Sequence, residues 1–296
     1  MQNINWDDIR YFLAVYRQGT VSGAAEALNV NHTTVSRRIA ALEQKLNFKL
    51  FERKRNRYVI TEHAETVLSY ATNMELEALA FSRKLQGQDE QLDGKLRITL
   101  PDVVSYYLLN KALVKFARDY PDIQLEIINS DNPIDLNAQE ADIAIRFTDN
   151  PPQFLVGKCI ATIDYAIYAS SKLIDSTPNL DTRNISALSW IDQVDRPLWL
   201  ERNYPNMKRG CKFNSLISMV SSLRNGAGIA QIPCFIGERD PLLKRIPSKY
   251  VEPGWGLWVL HHVDLKQSSK VKVAYRFLSD ALSEEMKKHE FNAQEE

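Results

Sequence analysis

Two groups of polar and basic side chains between residues 31 and 57 have the chemistry needed to hold DNA. The first combines short hydrogen-bonding groups with two guanidinium groups and comprises Asn31, His32, Thr33, Thr34, Ser36, Arg37 and Arg38. Such side chains contact base edges and phosphates. The second is a run of cations, Arg53, Lys54, Arg55 and Arg57, and each phosphate that a cation neutralises adds salt-sensitive affinity. The pattern therefore favours noncovalent reading of double-stranded DNA.

A pair of short helices is predicted to position the first group. The first helix has Ser22 as its expected N-cap, which we also place among the DNA contacts, and would bury Ala24, Ala25 and Leu28. A turn at residues 29–31 leads to a second helix, which Asn31 would cap and whose apolar stripe comprises Val35, Ile39, Leu42 and Leu46. The polar residues remain outside, as in a recognition helix that enters the major groove. An ordinary helical hairpin with a solvated polar face has the same local pattern.

The basic run is predicted to form the tip of a wing. Leu50, Phe51 and a strand at residues 58–60 are apolar enough to pack under the second helix. The cations between them would then lie beside the groove, against the flanking phosphates. A solvated loop is the usual role of a basic run, but the adjacent recognition helix favours the wing.

Two further helices flank this pair. Asn5 is expected to cap a first helix that carries Asp7 and Asp8 in its first turn and an apolar face of Ile9, Phe12, Leu13 and Tyr16. From residue 62 to about residue 85, apolar residues recur every three or four positions, the pattern of a helix that pairs with its own copy. This predicted dimerisation stripe comprises Ala64, Val67, Ala71, Met74, Ala78, Phe81 and Leu85. A single amphipathic helix lying on its own domain is the alternative. Residues 86–94 are polar and contain two glycines, which is typical of a hinge.

From Lys95 onward, strand patterns alternate with helical ones, which predicts an α/β domain with a mostly parallel sheet. A first unit would hold strands at 96–100, 123–128 and 142–147 and a helix through Leu108, Leu109, Leu113 and Phe116. A second unit would begin near Asp164, with strands at 165–169, 190–191 and 226–233 and a helix at 214–225. A strand at 257–262 and a terminal helix through Val273, Phe277, Leu278 and Leu282 lead back towards the first unit.

The expected domain organisation follows from these patterns. Residues 1–61 would form an all-α winged helix-turn-helix domain, and residues 62–93 the dimerisation helix and hinge. The remainder would form two lobes, lobe I at 94–163 and 265–296 and lobe II at 164–264, with a cleft between them. Residues 1–61 hold ten Lys or Arg against five Asp or Glu, whereas the whole chain has a formal net charge of zero. A basic DNA reader joined to a mildly acidic domain gives such a contrast.

Several function classes lack the residues they need. No apolar run approaches the ~20 residues of a membrane span, and no secretion signal is visible, so a cytoplasmic protein without membrane contact is expected.

The three cysteines, Cys159, Cys211 and Cys234, are widely spaced, which favours buried free thiols over a zinc or disulfide framework and leaves a redox role as the minor alternative. Five scattered histidines give no metal site, and neighbouring His261 and His262 would point to opposite faces of a strand. Asp192 and Asp195 are the only paired carboxylates considered for hydrolysis, and solvated loop residues are the simpler interpretation. We expect no catalytic residue, no metal and no cofactor.

The N-terminal motifs resemble those of the LysR-type transcriptional regulators. The specific matches are residues 11–15 (YFLAV), 24–28 (AAEAL), 35–39 (VSRRI), 42–43 (LE), 50–53 (LFER) and 60–61 (IT). Looser matches extend over the whole chain, at 94–98 (GKLRI), 120–122 (YPD), 141–146 (ADIAIR) and 226–230 (GAGIA). The resemblance implies that the α/β region is a two-lobed, periplasmic-binding-protein-like (type 2) effector domain with a small molecule in its cleft.

The resemblance also implies which residues would line that cleft, namely Pro101, Asp102, Val103, Ser105, Phe147, Thr148, Trp199 and Asn214. Ordinary loop or helix-cap roles are the alternative for each. Members of this family often carry Ser or Thr where Val103 stands, to hold a carboxylate. Asp102 would repel a carboxylate, so an effector that is not anionic, or none at all, is expected.

Two functions remain open at this point. The first is a regulator that binds pseudo-palindromic operator DNA as a homodimer or homotetramer, responds to a cleft ligand and has RNA polymerase as a further partner. The second is a small-molecule-binding protein or enzyme that a basic N-terminal module tethers to DNA. Sequence-specific binding without turnover of any tested metabolite would support the first.

Overall fold

The computed structural model describes residues 5–55, 57–87, 91–130, 141–177 and 185–292. The chain separates into two compact units, Met1–Lys84 and Leu85–Glu296. The predicted hinge at 86–94 lies partly outside the described residues, because 88–90 are not among them. No described helix combines the length and the apolar composition that a bilayer crossing requires.

The N-terminal unit contains four helices and a two-stranded antiparallel sheet among its described residues. The elements are α1 (Trp6–Gln18), α2 (Val21–Ala27), α3 (His32–Leu46), β1 (Phe51–Lys54), β2 (Arg57–Ile60) and α4 (Glu62–Gly87), which continues past Lys84 into the second unit. Val35, Ile39 and Leu42 are buried on the inner side of α3, which confirms the predicted stripe. Tyr16 was expected on the buried face of α1, but it is 44% exposed.

The caps of the first two helices are only partly as predicted. The side chain of Asn5 accepts a hydrogen bond from the backbone N–H of Asp7, so Asn5 does cap α1. The cap of α2 is Thr20, whose hydroxyl accepts from the N–H of Gly23, and Ser22 is an exposed residue inside the helix. Gly19 explains the difference. It ends α1 in a left-handed conformation (φ 63°), so the chain leaves one helix and extends at the very next residue.

The first half of α4 belongs to the core of the N-terminal unit. Thr61 joins the helix to the wing, because its hydroxyl donates to the carbonyl of Lys49 and accepts from the N–H of Ala64. Ala64 and Ala71 are buried in this core, and Val67 packs against it. The predicted dimerisation stripe is therefore wrong at Ala64 and Ala71, which face their own domain and leave no surface for a partner.

The C-terminal unit contains two five-stranded sheets. The first has the strand order β4-β3-β5-β12-β6, and the second β11-β7-β10-β8-β9. The strands are β3 (Gly94–Leu100), β4 (Ile123–Asn129), β5 (Ile143–Phe147), β6 (Leu155–Thr162), β7 (Tyr165–Ser170), β8 (Ser186–Trp190), β9 (Lys208–Phe213), β10 (Ile229–Pro233), β11 (Leu243–Ile246) and β12 (Gly256–His262). Each sheet combines parallel and antiparallel pairs, so the predicted mostly parallel arrangement is wrong. Strands β6, β9 and β11 were not predicted, because their exposed residues break the apolar runs.

The chain passes between the two sheets at residues 163–164 and again before β12. Because β12 pairs with β5 and β6, the return to lobe I is complete at Gly256, earlier than the predicted boundary at 265. The two crossing segments touch, since the N–H of Ile163 donates to the carbonyl of Trp255. A Cβ at Gly254 would meet the carbonyl oxygen of Ile163, so this approach requires glycine.

Helices cover both sheets. A wide-turn π-helical segment (Val104–Leu109) continues into α5 (Asn110–Asp119), and these are followed by α6 (Ser171–Ser176), α7 (Leu198–Asn203), α8 (Leu216–Arg224), α9 (Cys234–Gly237) and α10 (Ser269–Asn292). The apolar core beneath them includes the predicted Leu108, Leu109, Phe116, Leu278 and Leu282. Ser215 caps α8, with its hydroxyl accepting from the N–H of Ser218.

Candidate DNA interface and interlobe cleft

The N-terminal turns of α3 present most of the polar residues that were predicted to contact DNA. His32, Thr33, Ser36 and Arg37 are exposed and Thr34 is half-buried. Asn31 occupies the N-cap position of α3, and its backbone carbonyl accepts hydrogen bonds from the N–H groups of Thr34 and Val35. Its side chain makes no capping hydrogen bond. Its amide therefore stands at the end of the helix without a capping role there. Hydroxyl groups, one imidazole and one guanidinium group thus line the first two turns.

Arg38 has a different environment from Arg37. Its guanidinium donates to the carboxylate of Asp8 at 3.0 Å and lies over the ring of Tyr11, 5.7 Å from the ring centre. Lys45, two turns later on α3, donates to the other oxygen of Asp8 at 2.8 Å. These contacts hold Arg38 against α1, and they set it apart from the exposed residues that the sequence analysis grouped with it.

The carboxylate of Asp8 is nearly inaccessible to solvent, with 2% of its side chain exposed. Burial by itself would raise its pKa, but the hydrogen bonds from Lys45 and Arg38 outweigh burial and leave the pKa below its ordinary value. Asp8 therefore stays ionised in the folded unit at neutral pH.

The basic tip forms a wing as predicted. Strands β1 and β2 pair with Lys54 opposite Arg57, and all four predicted cations are exposed. Arg55 has a left-handed backbone (φ 45°), which turns the chain at the tip. The wing is fixed to the domain by the N–H of Tyr58, which donates to the carbonyl of Gly19.

The second half of α4 leaves a row of large apolar side chains exposed. Met74 is 45% exposed, Phe81 68% and Leu85 59%, so these residues of the predicted stripe lie at the surface, and their pairing with a second copy stays a prediction. Tyr70, which the sequence analysis did not include, is 71% exposed and precedes Met74 by one turn on the same face. The apolar periodicity could not separate this face from the buried alanines, since both repeat every three or four residues.

In the C-terminal unit, Asp102 connects the two lobes. One carboxylate oxygen accepts from the N–H of Val103 at 2.7 Å, and the other accepts from the hydroxyl of Ser215 at 3.4 Å. Ser215 begins α8 in lobe II, so a carboxylate of lobe I lies at the N-terminus of a lobe II helix. Helix N-termini favour negative charge, and here the protein itself supplies it.

The other predicted cleft residues are distributed unevenly. Pro101 and Val103 are buried, Ser105, Phe147 and Thr148 are half-buried, and Asn214 is exposed beside Ser215. Trp199 does not lie with them: it is 4% exposed on α7, within an apolar cluster of lobe II that also contains Leu200 and Met207. The cluster that contains Val103 is a separate one. Trp199 is therefore a core residue, and its predicted place in the cleft is wrong.

A second polar junction joins the lobes and was not predicted. Arg239 donates to the carbonyl of Tyr107 at 3.2 Å and to Glu285 of α10 at 2.9 Å. Arg224 of α8 binds Asp240 and also donates to the hydroxyl of Tyr107 at 3.4 Å. The hydrogen bond to Asp240 raises the pKa of Arg224, and burial raises the pKa of Tyr107. No local sequence pattern indicates this junction, because Arg224 and Arg239 follow Tyr107 by 117 and 132 residues.

The described residues give little support for a metal site, a reactive cysteine pair or a pair of catalytic carboxylates. No group of three or more His, Cys, Asp or Glu is placed to hold a metal ion within the described ranges. All three cysteines are free thiols, but Cys159 and Cys211 are exposed and Cys234 is half-buried, so the expectation that they are buried is wrong. Asp192 and Asp195 are exposed, as expected of solvated loop residues.

Two regions of the chain match known sequence profiles. Residues 6–65 match the profile described as bacterial regulatory helix-turn-helix protein, lysR family, and residues 89–283 match the LysR substrate binding domain. Among characterised proteins, the chain is 26% identical over 269 residues to the HTH-type transcriptional regulator PtxR of Pseudomonas aeruginosa, covering 87% of this chain and 85% of PtxR. It is 28% identical over 298 residues to the HTH-type transcriptional regulator DmlR of Escherichia coli, covering 94% of each chain.

Solved structures of full-length regulators share the fold. The Vibrio cholerae virulence activator AphB superposes with a TM-score of 0.60 at 21% identity, covering 93% of this chain and 98% of AphB. CrgA, a LysR-type transcriptional regulator from Neisseria meningitidis, gives a TM-score of 0.57 at 20% identity, covering 95% of this chain and 99% of CrgA. At these identities the comparison supports the fold alone.

Proposed function

The chain belongs to the LysR family of bacterial transcriptional regulators, and from that membership we propose that it reads pseudo-palindromic operator DNA as a dimer under the control of a small molecule. The observation that carries this proposal is the exposed polar face at the N-terminus of α3, opposite an apolar stripe in which Val35, Ile39 and Leu42 are buried. Such a helix can enter the major groove without disturbing its own core.

We assign the reader's contacts by side-chain chemistry. His32, Thr33, Thr34 and Ser36 take base edges or the adjacent backbone, and Arg37 takes a guanine edge or a phosphate. Arg53, Lys54, Arg55 and Arg57 of the wing bind flanking phosphates and supply salt-sensitive affinity. Arg38 acts mainly by holding α3 to α1, because Asp8 occupies its guanidinium.

We propose that two copies of the chain pair through the exposed face of α4, with Tyr70, Met74, Phe81 and Leu85 at the seam. Four large side chains exposed on one helix face are costly in water, and a second copy of the face would bury them. The dimer then presents two recognition helices to two half-sites, whose binding free energies add roughly. Pairing of dimers into tetramers and a contact with RNA polymerase are the further steps of this proposal.

The effector domain is proposed to bind a neutral or cationic molecule between its lobes. Asp102 already supplies a carboxylate at the N-terminus of α8, and a second carboxylate placed there would be repelled. A ligand with an amino or hydroxyl group would instead compete with Ser215 for Asp102. Ligand binding would then change the lobe contacts and, through them, the affinity for DNA.

We propose a regulator without catalytic activity, acting in the cytoplasm where its DNA lies. PtxR and DmlR are named as transcriptional regulators, which is consistent with this role. The alternative of an enzyme tethered to DNA has no catalytic constellation in its favour among the described side chains.

The test is a genome-wide selection of DNA fragments by the purified protein at two salt concentrations. The variant Arg37→Ala removes a charge from α3, and the control Arg276→Ala removes the same charge from the exposed surface of α10. We expect wild-type protein and the control to recover one two-fold-symmetric motif, and Arg37→Ala to lose it. Recovery of no motif, with weak binding that vanishes at moderate salt, would instead mean that the N-terminal unit is only a tether.

A further inference from the structure

The ion pair between Arg17 and Glu75 links the last turn of α1 to the middle of α4. Two nitrogens of the Arg17 guanidinium donate to the two carboxylate oxygens of Glu75, at 2.9 and 2.5 Å. This two-point geometry fixes the relative direction of both side chains better than a single contact does. Both residues lie in the N-terminal unit.

Glu75 stands at the end of the anchored part of α4. Before it, Thr61 ties the helix to the wing and Ala71 is buried in the domain core. Beyond it, Phe81 and Leu85 are exposed large apolar residues. The ion pair thus links α1 to α4 between the part of α4 that is buried in the domain core and the distal residues of the proposed dimer seam, Phe81 and Leu85.

We infer that Arg17 and Glu75 are positioning residues that set the spacing between the two recognition helices of a dimer. The inference rests on the proposed function, since it requires two copies paired through α4. With the exposed face of α4 held in the seam, any rotation of the reader relative to α4 moves α3 along the DNA. The Arg17–Glu75 clamp, as we call this pair, resists that rotation.

A modest rotation is enough to matter. A domain of about 60 residues has a radius of gyration of about 10 Å. Rotation by about 20° therefore moves a surface helix by about 3.4 Å, which is one base-pair step. A loosened reader would accept half-sites one base pair closer or farther, because each recognition helix could shift to meet them.

The clamp contributes little to folding, which makes it testable. The side chains of Arg17 and Glu75 are 48% and 20% exposed, and partly exposed ion pairs add little to stability. Removing one partner leaves the other at a position that is partly open to water. The variants are therefore expected to fold and to keep every DNA-contacting side chain.

The experiment measures the affinity of the full chain for duplexes that carry two half-sites at spacings varied by single base pairs, and for a duplex with one half-site. The variants are Arg17→Ala, Glu75→Gln, the reversal Arg17→Glu, and the swap Arg17→Glu with Glu75→Arg. Arg10→Ala is the matched control, because Arg10 is also an exposed arginine of α1 but pairs with Asp7 instead of α4.

We expect wild-type protein and Arg10→Ala to prefer one spacing sharply. In Arg17→Ala and Glu75→Gln the preference over neighbouring spacings should fall by about threefold, which an ion pair of ordinary surface strength can supply. Affinity for the single half-site should stay unchanged in these variants. The reversal Arg17→Glu should reduce the spacing preference at least as much as Arg17→Ala does. The swap should restore the wild-type spacing profile.

Three outcomes would overturn the inference. An unchanged spacing profile in the variants, beside a sharp one in wild-type protein, would refute the clamp alone. Equal losses on one and two half-sites would show that the pair supports the reader's fold or binds DNA directly. If wild-type protein itself shows no spacing preference, the two-fold dimer of the proposed function fails and the clamp fails with it.

Discussion

The buried carboxylate of Asp8 accepts a hydrogen bond from the guanidinium of Arg38 at 3.0 Å, which ties the first helix to the recognition helix. Lys45 binds the other carboxylate oxygen, so two cations of α3 meet one anion of α1. Arg38 has a side chain suited to DNA binding, but this contact gives it a structural role within the reader. Stability and DNA affinity can therefore be separated by mutation within a single helix.

Replacement of Asp8 by Asn should destabilise the N-terminal unit by about 2 kcal/mol at neutral pH, because hydrogen bonds to a charged, buried group are lost. The pKa of Asp8 lies below its ordinary value of 3.8 in the folded unit. Its stabilisation is thus complete above that value and is lost as the pH falls through the lowered folded pKa. The free-energy difference between wild type and Asp8→Asn, from hydrogen exchange of α1 and α3 peptides, should shrink below about pH 4.

Asp7→Asn is the control for this prediction, because the Asp7 side chain is 44% exposed. Its effect should be about 0.5 kcal/mol, as for a surface ion pair. A difference for Asp8→Asn that persists undiminished at low pH would contradict the role assigned to its charge.

Arg37→Ala and Arg38→Ala should have opposite signatures. Arg37 is exposed, so its loss should weaken operator binding about 10- to 100-fold, the discrimination that one base contact supplies, and leave thermal stability unchanged. Arg38→Ala should lower stability and leave Asp8 with Lys45 as its only described partner on α3. DNA-binding isotherms and thermal melting curves of both variants provide the measurement. If Arg38→Ala lost as much DNA affinity as Arg37→Ala while its stability stayed unchanged, Arg38 would be a DNA-contacting residue.

Thr34 and Arg55 should divide specificity from general affinity. Thr34→Ala should change which sequences are preferred, since a hydroxyl at the helix N-terminus contacts particular bases. Arg55→Ala should weaken all sequences alike and reduce the salt slope by about one, since a phosphate contact is lost. Sequence-selection profiles combined with salt titrations provide the measurement, and the same change in both variants would refute the division.

Phe81→Glu should separate dimers into monomers, because it places a charge on the exposed apolar face of α4. We expect the dimer dissociation constant to rise at least about tenfold, as expected for loss of a central aromatic contact. Ser69→Glu is the control: it adds the same charge to an exposed position on another face of α4. Light scattering over a range of concentrations measures both variants. A monomeric wild-type protein, or equal weakening by both substitutions, would remove this face as the seam.

Asp102 predicts the charge class of the effector. In a thermal-shift screen, small amines should stabilise the effector domain and carboxylates should not. A ligand at 100 times its dissociation constant adds about 2.7 kcal/mol, or about 5 °C or more for a domain of this size. Asp102→Asn should abolish the response to amines. Stabilisation of wild-type protein by dicarboxylates would contradict the assignment.

The local elements of the reader could be predicted well from the sequence. The apolar stripe of α3, the cap at Asn5 and the cations of the wing depend on residue types a few positions apart, and α-helical or strand periodicity reports these directly. Thr20 was missed as the cap of α2, because Ser22 has the same capping chemistry and only the left-handed turn at Gly19 distinguishes them.

Contacts between distant segments were beyond the sequence. Periodicity shows that α4 has an apolar face, but whether Ala71 meets its own domain or a partner depends on how the helix is placed on the reader. Trp199 is an example of the same limit, since an aromatic residue suits both a ligand cleft and a core.

The sequence by itself determined the family, the positions of the recognition helix and wing, and the alternation of strands and helices, because each rests on short-range patterns of residue type. Only the tertiary structure decided that Arg38 belongs to Asp8, that Arg17 is paired with Glu75, and that Asp102 meets Ser215 across the lobes. The physical reason is that a charged side chain can serve a ligand or a partner within the chain equally well. The fold decides between them by what it brings within hydrogen-bonding distance.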